Sequence, residues 1–180
     1  AAPATAAPKT RRSTTTAGEP PATQPGATDP PATDPPATDP PATDPPAPKP
    51  VAVPGDASAV IGLTNAERAA AGLGALNANS ALHAAAQRES NDMAAHTTMS
   101  HTGSDGSTVG TRASAAGYSW STLGENIAVG YTSASGVVTG WMNSAGHRAN
   151  ILNGAFRDIG VAVATGADGK KYWTMVLGAQ

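Results

Sequence analysis

Residues 57–180 predict an α+β domain, with helices laid over a small sheet. Three observations carry that expectation. All 16 prolines fall between Pro3 and Pro54, so only the later part of the chain is free to build regular structure. The first half of that later part is alanine-rich and keeps a helical period. Its end carries two apolar runs, IGVAVAT and YWTMVLG, on either side of GADGKK. The Asp168-Gly169 pair between them is a strong hairpin signal.

The N-terminal 1–56 is expected to be a disordered, Pro/Ala/Thr-rich linker. It contains ATDPP four times in register, at 27–31, 32–36, 37–41 and 42–46. A period of five is too short for a solenoid unit, and proline holds φ near the polyproline II value. Residues 20–54 extended at ~3.1 Å each would reach on the order of 100 Å. This low-complexity segment reads as a stalk or spacer, with threonines suited to O-glycosylation.

Within the domain, 58–72 carries Val60, Ile61, Leu63, Ala66 and Ala70 and reads as a helix closed by a glycine. A second helix is expected from a cap at Asn79 or Ser80 to about residue 95. Leu82, Ala86, Glu89 and Met93 share one of its faces. An acid on an apolar stripe predicts a rim position or an arginine partner for Glu89. The Gly/Ser/Asp-rich stretch HTTMSHTGSDGST reads as a loop. A short third helix is expected over 108–116, capped by Ser107 and stopped by Gly117. Ile127, Ala128 and Val129 read as a strand, 135–143 as a fourth helix, and the C-terminal hairpin completes the sheet. Every Trp, Tyr and Phe lies after residue 117, which places the aromatic core late in the chain.

Composition narrows the function. There is no cysteine, so no disulfide fixes the fold. A domain of this size has enough core without one. From residue 57 onward seven acids face seven bases and no basic run occurs, which argues against a nucleic-acid partner. No apolar run approaches 18 residues, so no transmembrane segment is expected. The opening AAPATAAP reads as the mature end left by cleavage at an alanine-rich site. Together these predict a secreted, extracellular, bacterial protein, associated with the cell wall and monomeric.

Four histidines are available. His83 lies beside the apolar stripe and reads as structural or solvent-facing. His96 ends the second helix, where a cation suits the dipole. His101 in SHTG and His147 in AGHR sit among small residues that leave an imidazole accessible, and Glu125 has the same setting in LGEN. Two imidazoles and a carboxylate suit a divalent metal with an open position, or acid–base work without one. Spacings of 24 and 22 residues are not a metal-ligand signature, so the bland alternative also stands: two surface histidines and a loop-bonding glutamate.

The segments SHTGSDGS (100–107), GENIA (124–128), GWMNSAGHRANIL (140–152) and IGVAVA…YWTMVLG (159–178), with NAERAAAGLGAL (65–76), resemble the bacterial, SCP-like branch of the CAP superfamily. That superfamily groups cysteine-rich secretory proteins, antigen 5 and plant pathogenesis-related proteins. The resemblance covers 57–180 in the family's order. It implies a three-layer α-β-α sandwich with a cleft formed by His101, Glu125 and His147, both as catalytic candidates and as ligands of a divalent metal, zinc above others. Asn126 and Ser144 are expected to line that cleft. Ser144 stands where the family's second acid usually lies, three residues after Trp141. The resemblance implies an extracellular binding module for a small or lipid ligand, or for a cell-wall component. A metal-dependent, peptidase-like hydrolase and a wall-associated structural domain are the alternatives.

Overall fold

The computed structural model describes residues 55–180. The ATDPP spacer and its threonines lie outside the described residues. Helix α1 (Gly55–Ala70) opens the domain, three residues earlier than its composition suggests. It stops before Gly72, whose φ of +73° suits glycine. After a two-residue strand β1 (Asn77–Ala78) comes α2 (Ser80–His96). Asn79 caps α2, its Oδ1 accepting from the amides of Ala81 and Leu82.

Helix α3 (Val109–Ala115) follows the long loop. Its cap is Thr108, not the expected Ser107. Thr108 and Thr111 form a reciprocal capping box, whereas the Ser107 carbonyl accepts from Arg112 Nη1. Strand β2 (Thr122–Val129) is longer than the three residues expected. It is followed by α4 (Ala134–Asn143), a short helix α5 (Ala145–Ile151), and strands β3 (Asp158–Thr165) and β4 (Lys171–Ala179). Helix α5 and strand β1 are absent from the sequence reading.

The sheet order is β1-β3-β4-β2. β1 runs parallel to β3, and the β3–β4 and β4–β2 pairs are antiparallel. Period-two alternation gives the sheet two apolar faces. Ile159, Val161, Trp173, Met175 and Leu177 pack with Val60 of α1, Val137, Val138 and Trp141 of α4, and Ile151 of α5. Ala162 and Val176 pack on the opposite face with Leu82 and Ala86 of α2 and Ala113 of α3. Met93 and Ala94 extend that second layer over Ile127 and Tyr172. The result is the expected α-β-α sandwich.

Two close approaches fix the layers. A Cβ on Gly160 would overlap the Leu82 carbonyl carbon and the His83 amide, so glycine there lets α2 lie directly on β3. On the other face, buried Arg68 of α1 donates to the carbonyls of Gly74, Ile151 and Asn153, tying α1 to the end of α5. Strand β2 lies at one edge of the sheet. The Ile127 carbonyl accepts from the Trp141 indole at 3.1 Å, and the Glu125 carbonyl from Asn150 Nδ2 at 3.2 Å.

Candidate functional site

Glu125 sits mid-strand on β2. Alternation turns its side chain toward the layer of α2 and α3, and turns Asn126 toward α5. The Glu125 residue is only 8% exposed, a costly place for a carboxylate without partners. It has two. His101 Nδ1 lies 2.8 Å from Oε1, and Arg112 Nη2 lies 2.6 Å from Oε2. Charge-assisted bonds on both oxygens offset the cost of burial.

Arg112, on α3, organises the ground beneath the site. Its side chain is 0% exposed. Besides Glu125 it donates to the Ser107 carbonyl at 2.8 Å and the His101 carbonyl at 3.3 Å. Nη1 also lies 2.8 Å from Glu89 Oε2 on α2. That last contact is ionic rather than a hydrogen bond: both Glu89 oxygens and Arg112 Nε lack hydrogen-bond partners. Glu89 is therefore arginine-paired, as the stripe suggested, but it lies in the interior rather than on the rim. Burial pushes its carboxyl up to about 7, against the pull of Arg112 and with the help of the negative charges of Glu125 and Asp92.

His101 is held in a loop pinned to α2. Thr97 ends α2 in the left-handed region at φ 50° and turns the chain back. Asp92 accepts from the Ser104 amide at 2.9 Å and its hydroxyl at 2.5 Å. Arg88 meets Asp105 at 2.6 Å. Hydrogen bonds from Ser104 hold the Asp92 carboxyl below the usual range, and those from Ser107 and then Arg88 do the same for Asp105. The His101 side chain remains 43% exposed. The 2.8 Å contact sets the His101 Nδ1 against Glu125 Oε1 and so orients the ring.

His147 lies half-buried on α5. Its carbonyl accepts from Asn126 Nδ2 at 3.0 Å, which brings the chain at 147 beside strand residues 125 and 126. Asn126 is 0% exposed, so it supports the site from beneath rather than from the cleft wall. Ser144 is half-buried and begins α5 without a side-chain cap bond. Among the described residues, no three His, Asp or Glu side chains are grouped to hold a metal ion. His83 and His96 play the structural parts expected of them. His83 Nδ1 contacts the Val161 carbonyl at 2.6 Å, and His96 Nδ1 contacts the Asp92 carbonyl at 2.9 Å.

Arg112 and Asn150 are the residues that sequence reasoning missed. Part of a signal for Arg112 existed: an acid on the apolar stripe of α2 calls for a buried cation, without naming the base that supplies it.

A model of the CAP, cysteine-rich secretory protein family matches residues 61–177, which contain every residue of this site. The chain belongs to the CAP family. An uncharacterized protein of Bacillus subtilis (strain 168), YkwD, is 41% identical over 102 residues, covering 57% of this chain and 40% of YkwD. An extracellular protein containing an SCP domain from Bacillus anthracis is similar in structure, with a TM-score of 0.64, 28% identity, and coverage of 70% of this chain and 41% of that one. The chain thus spans about two fifths of the length of both relatives. An outer surface protein of Borrelia burgdorferi shares the fold, with a TM-score of 0.63 at 21% identity over 68% of this chain and 91% of that one. No helix among the described residues of this CAP chain is long and apolar enough to cross a membrane.

Proposed function

We propose that this CAP protein is secreted and acts as a binding module at the cell surface. Its cleft at His101, Glu125 and His147 takes a divalent cation, zinc above others, together with a small or lipid ligand. The observation that carries the reading is the 2.8 Å contact between His101 Nδ1 and Glu125 Oε1 beneath a half-exposed ring. A carboxylate bonded to one nitrogen of an imidazole holds the ring in a fixed orientation. The extracellular character of the Bacillus anthracis relative and the surface location of the Borrelia burgdorferi protein support the location.

Imidazole nitrogen is a donor suited to a divalent cation. His101 is braced by Glu125, and His147 belongs to the short helix tied to Asn126. Glu125 supports His101 through one oxygen and is itself held by Arg112 through the other. A divalent cation supplies a Lewis-acidic centre for a ligand carboxylate, phosphate or hydroxyl.

The test is zinc titration by calorimetry on the wild type, His101→Ala and His147→Ala. Each substitution is expected to weaken binding by at least about tenfold. Equal affinity in all three proteins would refute the reading.

A further inference from the structure

We propose that Asn126 and Asn150 form a two-amide clamp whose task is to register the His147 segment of α5 to strand β2, beside Glu125. The proposal rests on the reading of His147 as a site residue. Helix α5 has seven residues, too few to hold itself together in isolation. Its first residue follows Ser144, which gives no side-chain cap bond. What registers it to β2 is a chain of amide bonds. Asn150 Nδ2 donates to the Glu125 carbonyl at 3.2 Å and to Asn126 Oδ1 at 2.9 Å. Asn126 Nδ2 donates in turn to the His147 carbonyl at 3.0 Å.

The geometry is closed. His147 and Asn150 are three residues apart and share a face of α5. Asn126 is fully buried, so an amide there must be satisfied at both ends, and it is. Gly124 leaves the room: a Cβ there would come within 3.2 Å of Asn150 Oδ1. The GENIA and HRANIL segments are therefore two halves of one joint. Glu125 faces His101 while its neighbours and its own carbonyl hold the second histidine.

The experiment uses the full chain with Asn150→Ala and, as a milder second variant, Asn150→Ser. Proton–nitrogen correlation of the imidazoles, recorded without zinc, is expected to show displaced or broadened His147 signals while those of His83 and His96 stay in place. Zinc affinity is expected to fall about tenfold, as for other supports of a ligand. A His147 spectrum that overlays the wild type in both variants, with affinity within about twofold, would overturn the clamp. So would an equal displacement of all four imidazoles, which marks general loosening. If the wild type takes up no zinc, the cation-binding reading fails by itself, and the zinc-free spectra still decide the clamp.

Discussion

Gly124→Ala tests how tightly the strand carrying Glu125 is packed. The φ of Gly124 is not in the left-handed region, so the demand at this position is for space. A Cβ there would lie 2.8 Å from Phe156 Cζ, 3.1 Å from Cε2 and 3.2 Å from Asn150 Oδ1. Carbon atoms rest at about 3.5–4.0 Å, so the ring must retreat by roughly 0.7 Å or more. Phe156 is buried in the core with Leu76, Ile151 and Leu177 and has little room. Overpacking of this kind costs about 1–3 kcal/mol, which for a domain of this size lowers Tm by roughly 5–15 °C. Thermal unfolding followed by circular dichroism reads the loss. The control is Phe156→Leu: in that background the added methyl group should cost less than half as much, because the obstructing ring edge is gone. A Tm within about 1 °C of the wild type, or a penalty unchanged by Phe156→Leu, would refute the steric argument.

Two other substitutions probe the layers on either side of the sheet. Trp141→Ala should cost about 3–5 kcal/mol in urea unfolding, since it empties a core position and leaves the Ile127 carbonyl without its indole donor; a loss below about 1 kcal/mol would contradict the burial. Glu89→Gln tests the buried acid by its pH dependence. The Glu89 carboxyl is raised from 4.5 to about 7 in the folded state, so its contribution is full below pH 4.5 and is lost as pH rises through about 7. The lost stability is on the order of 3 kcal/mol. A glutamine cannot ionise, so Glu89→Gln should gain on the wild type by up to that amount between pH 4.5 and 8. An equal difference between the two proteins at pH 5 and pH 8 would disprove the assignment.

Local signals were legible and long-range ones were not. The Asn79 cap, the apolar stripe of α2 and the Asp168-Gly169 turn each depend on residues a few positions apart, and each appears in the structure where the sequence places it. The cap of α3 moved by one residue: Ser107 turns its hydroxyl and amide to Asp105, and Thr108 caps the helix with Thr111. Helix α5 escaped because Gly146 and Asn150 argue against a helix and seven residues leave no period to count. Its stability comes from Ile151 in the core and from the bonds to β2. The meeting of His101 with Glu125 was accessible through family resemblance, since the spacing of 24 residues carries no geometry of its own. The Glu89–Arg112 pair shows the limit most clearly: the sequence demands a cation for Glu89 and cannot say which of seven bases supplies it.

The flank of β2 has a consequence for life at high local concentration. A terminal strand normally offers its carbonyls to any passing backbone, and neighbouring copies can join there into an unbroken ribbon. Here an incoming chain would meet an indole and a carboxamide already occupying the acceptors at 127 and 125. Trp141 and Asn150 thus occupy two outward carbonyls of the terminal strand as well as bracing the interior.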